Sequence, residues 1–339
     1  MRLNAEEWIR PRRPRESFPP YELADRDLVA STEEQTRKLA RLYHVAHEKA
    51  WDGRAVLAEL VAKHGGIRVP EDKREALGRI ASVLLWGELA AWSISADLAL
   101  RLEDPAAKMA ATSQVFDEAR HFYVLRDYLW QAGIPVPRLG GYSRRLLVNL
   151  LETENLLHKL VGMQLMVENV ALCLFKMIAA AGIEPVLSDL LYYYERDEAR
   201  HVGLGALALP AILPGLSDLD AGRLWLFQLR IQLLMVGGGL TMRTAFAELG
   251  IDQAAMQLYG FELQSDVYKR MGGGRGASKD PTRKRRTRGL FKVSREGQDR
   301  INRFLFPREG EERPAWQEPM LRALIRVAER GDRFLTPRT

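Results

Sequence analysis

The chain has 339 residues, 47% of them apolar, so it is long enough to bury a large hydrophobic core. Its formal net charge of +6 at pH 7 permits attraction to anionic partners without identifying one. A single cysteine, Cys173, excludes an intrachain disulfide, and neither a signal-peptide core nor an uncharged apolar run of about 18 residues is present. We therefore expect a cytoplasmic protein with no membrane span.

The predicted elements are helices along most of the chain. Residues 1–72 are first rich in Pro and Arg and then helical, and we take them as an N-terminal arm and helix. Apolar residues recur with helical spacing through 73–250, which predicts a helical bundle. Residues 251–339 form a C-terminal arm with a basic run at 283–292 and a short helix near the end. Breakers divide the bundle at 103–105, 131–142, 181–185 and 209–218.

The pentapeptide DEARH occurs twice within this bundle, at 117–121 and at 197–201. Side chains three positions apart project from the same side of a helix. Each copy therefore presents a carboxylate and an imidazole together, from Glu118 with His121 and from Glu198 with His201. A solvated acidic surface would explain the charges of one copy, but not two copies that are both flanked by apolar residues.

If these pairs bind two metal ions in a four-helix bundle, two more carboxylates must come from the other two helices. Glu88 lies 30 positions before Glu118, and Glu168 lies 30 positions before Glu198. Both are lone acids in apolar stretches, where an unpaired charge would be costly. The midpoints, 103 and 183, fall on predicted turns, as two antiparallel hairpins require. The 50 positions from Glu118 to Glu168 suit a long crossover.

The donor chemistry favours iron or manganese over zinc, because the predicted set is rich in hard oxygen ligands with one nitrogen per metal. Four carboxylates and two neutral imidazoles balance two divalent cations. Asp117 and Asp197 lie one turn from the histidines and can hold their ring N–H groups, while Arg120 and Arg200 can neutralise these aspartates. The predicted metal ligands are Glu88, Glu118, His121, Glu168, Glu198 and His201.

With these residues at these spacings, roughly residues 75–210 resemble the ferritin-like di-iron carboxylate superfamily, in particular its oxygen-activating monooxygenases and oxidases. The resemblance implies an all-α, ferritin-like four-helix bundle with extra flanking helices and arms. It also implies two Fe ions or an Mn/Fe pair, O₂ as co-substrate and an external electron donor. By the same resemblance, the aspartates and arginines of both motifs form the network behind the metal ligands.

Departures from the patterns of particular branches leave the reaction subtype open. Leu125 stands where a radical-generating reductase subunit carries a tyrosine. Met163 and Ala90 stand where the related ligand-binding oxidases form a tyrosine–valine crosslink. Tyr194 replaces the additional histidine of arylamine oxygenases, and Leu172 replaces a threonine of monooxygenase hydroxylases.

A substrate pocket is expected one helical turn from the ligands, although aromatic residues at this spacing commonly belong to the core. Arg230, in an apolar stripe of the next helix, is either part of a buried ion pair or binds a substrate carboxylate. The other predicted pocket residues are Trp92, Ser95, Gln114, Phe122, Gln164, Phe175 and Tyr194.

The predicted function is O₂-dependent oxidation of a small organic substrate by hydroxylation, N-oxygenation or desaturation. A ferritin-like protein that oxidises iron or scavenges peroxide is one alternative. The other is an enzyme acting on a substrate bound to RNA or to an acidic carrier protein, recruited by the basic segment 283–292. A homodimer is compatible with either reading.

Overall fold

A computed structural model describes most of the chain. The described residues form helices and contain no strand, which agrees with the all-α prediction. The basic segment 283–292 lies outside them, so the roles predicted for it stay predictions, as do the domain limits. The described residues are 34–213, 216–256, 259–260, 262, 296–297, 300–301, 303–305 and 314–336.

The helices vary in length from one turn to 28 residues. One stretch is π-helical and runs directly into the helix that follows it. In chain order they are α1 Glu34–Glu48, α2 Gly53–Lys63, α3 Arg74–Arg101, α4 Pro105–Gln131, α5 Gly141–Glu152, α6 Leu156–Lys159, the π-helical segment Leu160–Val167, α7 Glu168–Ala181, α8 Pro185–Ile212, α9 Asp218–Thr241, α10 Arg243–Glu248 and α11 Gln317–Leu335.

Two antiparallel hairpins, α3–α4 and α7–α8, form the bundle, and each turns at a carboxylate followed by a proline. Asp104 caps α4 and Glu184 caps α8, each accepting a hydrogen bond of 2.8 Å from the backbone N–H three residues on. The capping carboxylate satisfies a free N–H of the first turn, and Pro105 and Pro185 have no N–H to leave unsatisfied. Both turns fall where the sequence predicts them.

The remaining helices cover this bundle. The crossover between the hairpins contains α5 and α6, while α1 packs against α4 and α8. Helix α9 packs against α5, and α11 lies against both. Tyr142 of α5 fits closely between Gly237 of α9 and Gly331 of α11, since a Cβ on Gly237 would lie 2.6 Å from its ring. Close packing therefore explains Gly237, the first of three consecutive glycines at 237–239 in α9.

The hydrophobic core consists of two clusters with a layer of charged side chains between them. On α3, residues 76–85 contribute to one cluster and residues 90–102 to the other, with Glu88 between them. Helix α8 repeats this order around Glu198 and His201. Apolar layers on both sides therefore shield the charged layer from water.

Three helical stretches, 71–101, 156–181 and 218–241, are long and apolar enough to cross a membrane by length and composition alone. Their apolar windows are 44%, 72% and 33% buried in the fold, respectively. Burial inside the fold covers most of the apolar window of 156–181 and less than half of the other two. The expectation of no membrane span stays a prediction.

Candidate metal centre

The structure places the six predicted ligand side chains together in the middle of the bundle. Glu88 comes from α3, Glu168 begins α7, and α4 and α8 each supply the Glu and His of one DEARH motif. All six are buried, and the most exposed of them, Glu88, has only 4% of its surface accessible. Each motif thus points its Glu–His pair into the bundle.

The six side chains form two overlapping groups, each with three carboxylates and one histidine. Glu118 and Glu198 belong to both groups, Glu88 and His121 complete one, and Glu168 and His201 complete the other. Within each group, the four donor atoms lie within 4.8 Å of one another. Glu118 and Glu198, which both groups share, could therefore each contribute to two metal sites.

Distances within each group are short. The Nδ1 atom of His121 lies 3.3 Å from both Glu88 Oε2 and Glu198 Oε1. The Nδ1 atom of His201 lies 3.1 Å from Glu118 Oε1 and 3.0 Å from Glu198 Oε2. Both imidazoles therefore turn the same ring nitrogen toward the carboxylates.

The donor atoms fit a pair of divalent cations. Nine buried side-chain atoms of the described residues have no hydrogen-bond partner, and two of them, Glu118 Oε2 and His121 Nδ1, belong to residues of the donor groups. Buried polar atoms are rarely left without partners, because the loss of hydration is costly. Bound metal ions would give these two donor atoms a partner and balance the charge of the four carboxylates.

Burial and mutual charge shift the ionisation of the metal-free cluster. Burial raises the pKa of Glu88 and of Glu168 well above the ordinary value. Burial also opposes ionisation of Glu118, but His201 and His121 beside it lower its pKa. The pKa of both histidines is raised well above 6.5, because the surrounding carboxylates outweigh burial. A metal-free cluster therefore retains protons that metal binding must release.

The aspartates pair crosswise with the histidines. Asp197 Oδ2 lies 3.2 Å from Nε2 of His121, and Asp117 Oδ2 lies 3.3 Å from Nε2 of His201. The sequence places each aspartate one turn from the histidine of its own motif, but the hydrogen bonds go to the other motif. The reason is that the two motifs lie at the same level on α4 and α8, so each imidazole reaches across to the opposite helix.

Two arginines bridge the aspartates. Arg120 Nη2 donates to Asp117 and, at 2.8 Å, to Asp197. Arg200 Nη2 donates to the same two aspartates at 2.9 and 2.6 Å. Two cations and two anions thus neutralise each other directly behind the imidazoles. Such charge-assisted bonds hold the aspartates, which in turn fix the ring orientation of the histidines.

Trp51, between α1 and α2, is a contributor that sequence reasoning missed. Its Nε1 donates to Asp197 Oδ2 at 2.8 Å, and its ring lies beneath the guanidinium of Arg120, 4.6 Å from the Arg Cζ. Asp117 has no corresponding indole among the described residues, so the two halves of the network differ. No motif marks Trp51, because only the packing of the N-terminal helices brings it to the bundle.

Two buried glutamines connect the ligands to the π-helical segment. Gln114 Nε2 donates to Glu118 Oε1 at 3.0 Å and to Glu168 Oε1 at 2.7 Å. Gln164, within the π-helical segment, donates through Nε2 to Gln114 Oε1 at 3.0 Å. The segment ends immediately before Glu168, and π-helical turns occur frequently at functional sites. Helical periodicity in the sequence does not reveal it.

Other predicted pocket residues instead support the ligands. Tyr194 is fully buried, its ring centre lies 4.2 Å from that of His121, and its hydroxyl donates to the backbone oxygen of His121 at 2.6 Å. Phe175 packs edge-on against Tyr194 at 5.3 Å between ring centres. These aromatic rings fill the space on the histidine side of the cluster.

The remaining predicted pocket residues do not surround a common space. Trp92 is 38% exposed and packs against Phe122, while Ser95 is buried in α3. Arg230 is exposed on α9, so the expectation that it is buried is wrong. The reason is that α9 is covered mainly by α5 and α11, which leaves its other side open.

An apolar cavity of about 170 Å³ lies on the opposite side of the cluster, next to Glu88 and Glu168. Within the described part of the chain these two are its only charged lining residues. Cys173 also lines it, and burial raises the pKa of this thiol to about 12. None of the eight predicted pocket residues does, because helices outside the four ligand segments form much of the wall. Its apolar wall includes Leu84, Ala91, Met163, Met166, Leu174 and Met235.

Comparison with known proteins gives structural likeness only. No protein-family model and no curated protein matches the sequence. A protein from Synechococcus with aldehyde deformylating oxidase activity matches with 19% identity and a TM-score of 0.53, over 64% of this chain and 96% of that chain. An R2-like ligand-binding oxidase with an Mn/Fe cofactor matches with 16% identity and a TM-score of 0.44, over 80% of this chain and 96% of that chain.

The first of these likenesses confirms the predicted fold, a ferritin-like helical bundle. The buried cluster adds a feature that is independent of the likeness, namely two groups of donors that could each hold a metal ion. Fold and cluster together agree with the class of ferritin-like di-metal carboxylate proteins that the sequence resembles.

Proposed function

We propose that this chain is an O₂-dependent di-metal oxidoreductase that oxidises a small organic substrate. The six ligands Glu88, Glu118, His121, Glu168, Glu198 and His201 would hold two Fe ions or an Mn/Fe pair. The observation that carries the proposal is the pair of buried donor groups sharing Glu118 and Glu198. The oxidase activity of the Synechococcus protein with the same fold supports it.

The bound metal pair would supply the redox chemistry that activates O₂. The protein's own residues keep the ligands in place. Asp197 and Asp117 accept the Nε2–H of the two imidazoles, which leaves each Nδ1 free to bind a metal. Gln114 orients the carboxylates of Glu118 and Glu168 through its two donated hydrogen bonds.

The substrate would approach from the side of Glu88 and Glu168. The histidine side is filled by Tyr194 and by Trp51, whereas the cavity opens next to the two glutamates. A cavity of about 150 Å³ in another protein stays dry and binds benzene. The cavity of about 170 Å³ would therefore take an apolar group of that size and exclude water from the reaction.

The cavity also favours an organic substrate over the alternative of simple iron oxidation or peroxide removal. Those reactions need no apolar chamber, and the wall here is lined largely by Leu, Met and Val side chains. Hydroxylation, N-oxygenation and desaturation all fit a substrate held in this position. Each of them would draw electrons from an external donor or from the substrate itself.

Metal content after anaerobic Fe(II) loading, followed by absorption spectra on admitting O₂, tests the proposal. We expect about two irons per chain and an O₂-dependent spectral change, as for other di-iron bundles. Glu168→Ala should lose iron and the spectral change. Glu152→Ala, which removes an exposed carboxylate in α5, is the matched control and should keep both. A wild-type protein that takes up no iron, or one loosely held ion, would refute the metal site.

A further inference from the structure

A surface groove of about 600 Å³ lies beside the cavity, between α3, α5 and the segment 136–139. Apolar side chains form most of it, including Trp86. Among the described residues that line it, the charged ones are two arginines, Arg138 and Arg144, and both are exposed. Within the described ranges neither has an ion-pair partner. The groove therefore combines an apolar floor with two available positive charges.

The groove and the cavity lie on two sides of the contact between α3 and α5. Leu147 of α5 lines both of them. On α3 the consecutive residues Ala90 and Ala91 line the groove and the cavity, respectively. Leu147 is the only described residue that lines both spaces, and the two alanines opposite it contribute only small side chains. A leucine side chain changes rotamer more readily than a helix backbone moves. The Leu147 side chain can therefore turn aside and connect the two spaces without unfolding either helix.

The two spaces have different chemistry. Guanidinium groups bind carboxylate, sulfate or phosphate oxygens with paired hydrogen bonds, so the groove suits an anion. The cavity, in the part of its wall that the structure describes, is lined by no lysine or arginine. An anionic group would therefore find an arginine partner in the groove but not in the cavity, whereas a hydrocarbon chain would be buried in the cavity.

We propose that Arg138 and Arg144 bind the anionic head of an amphipathic substrate whose apolar end passes Leu147 into the cavity. This inference rests on the proposed function and names the class of substrate: a single hydrocarbon chain with a terminal anionic group. The arginines set the orientation, so that the apolar end faces Glu88 and Glu168. Oxidation is thereby directed to the part of the chain remote from the anionic group.

Calorimetric binding of decanoate, decyl sulfate and decanol tests the head group. Binding is measured without O₂, on the protein as purified and after Fe(II) loading. We expect both anions to bind the double variant Arg138→Ala/Arg144→Ala at least tenfold more weakly than wild type, and decanol to change less than twofold. Arg145→Ala removes an exposed neighbouring arginine that lies outside the groove, and it should leave all three affinities unchanged. Equal anion binding by the double variant and wild type overturns the proposal.

Chain length tests the passage. From hexanoate to decanoate, affinity for the wild type should rise by roughly fourfold per methylene, as expected when each group leaves water. Leu147→Trp should abolish this rise while keeping hexanoate binding, because the larger ring closes the route to the cavity. A rise of the same size in Leu147→Trp overturns the passage.

The proposed di-metal function and the head-group site can be refuted separately. Arginine-dependent decanoate binding in a protein that takes up no iron would refute the proposed di-metal function and leave the head-group site standing. Two bound irons, together with decanoate binding that ignores both arginines, would refute the head-group site and leave the metal function standing.

Discussion

Replacing Asp197 by Asn tests the crosswise network behind the metal ligands. The Asp197 carboxylate is fully buried and accepts hydrogen bonds from Trp51, Arg120 and Arg200. It also contacts Nε2 of His121 at 3.2 Å. Asparagine keeps the shape but removes the charge, and turns an amide NH₂ toward groups that are themselves donors. Arg120, which is buried, and Arg200, which is partly exposed, would then share the single charge of Asp117.

The expected loss of stability follows from this burial. Removing one member of a buried ion pair typically destabilises a protein by about 3–5 kcal/mol, because the remaining charge stays desolvated. Asp127→Asn is the matched control, since Asp127 pairs with Arg126 at 2.7 Å but both side chains are substantially exposed. An exposed pair contributes at most about 1 kcal/mol. Urea unfolding of the metal-free proteins measures both changes.

The crosswise geometry makes a sharper prediction about iron affinity. In a His201→Gln background, which keeps the His121 group, Asp197→Asn should weaken iron binding by about 10–100-fold. In a His121→Gln background the same substitution should change affinity little, because the remaining histidine contacts Asp117 instead. Chelator competition measures each affinity, with circular dichroism to verify folding.

Two other outcomes would contradict the crosswise pairing of Asp197 with His121. The reverse pattern would mean that each aspartate serves the histidine of its own motif. An equal loss in both backgrounds would mean that Asp197 acts through overall stability and not through His121.

In metal-free protein, the pKa of both ligand histidines is raised well above 6.5, so their protonation stabilises the fold. This stabilisation is complete below pH 6.5 and is lost as the pH rises through the raised pKa values. The melting temperature should therefore fall above pH 6.5 without metal, whereas iron affinity should increase with pH. Gly205→Val should weaken iron binding and cost about 1–3 kcal/mol in urea unfolding, because a Cβ there would lie 2.7 Å from that of Gln164. Gly222→Ala, in open space on α9, should be neutral or stabilising. Gly87 lines the cavity, and a Cβ at this position would meet no atom within 4 Å. The leucine of Gly87→Leu should therefore fill the cavity. Benzene should then no longer raise the melting temperature, while the iron content stays unchanged.

The opposite result of each measurement would refute the cause given for it. A metal-free protein that becomes more stable above pH 6.5 would contradict protonated ligand histidines. Full iron affinity in Gly205→Val would show that the π-helical segment does not need its close contact with α8. A benzene-induced shift that survives in Gly87→Leu would place the apolar site elsewhere.

The hairpins and the set of clustered residues could be predicted from sequence because they depend on local patterns. Asp104 with Pro105 and Glu184 with Pro185 mark two turns, and in an antiparallel hairpin residues equally distant from the turn lie at the same level. That relation places Glu88 opposite the first DEARH motif. An acid in the middle of an apolar helix is also conspicuous, because burial of an uncompensated charge is costly.

The position of the cavity could not be predicted in the same way, because a cavity depends on how helices meet. Helical spacing shows which residues share a face, but not which neighbour covers that face. Tyr194 lies one turn from Glu198 and Phe175 two turns from Glu168, and yet both fill the histidine side. The open space lies next to Glu88 and Glu168, and α9 and α10, far along the chain, complete its wall.

The sequence by itself thus determined the long helices, the two hairpin turns and the six clustered carboxylate and imidazole side chains. Periodicity, capping and residue spacing act within each hairpin, and the DEARH motif repeats from one hairpin to the other. Only the tertiary structure decided the crosswise pairing of Asp117 and Asp197, the approach of Trp51 and the position of the cavity. These features depend on side-chain directions across helices distant in sequence. The π-helical geometry before Glu168 belongs with them, because the close approach of α8 at Gly205 accompanies that local change.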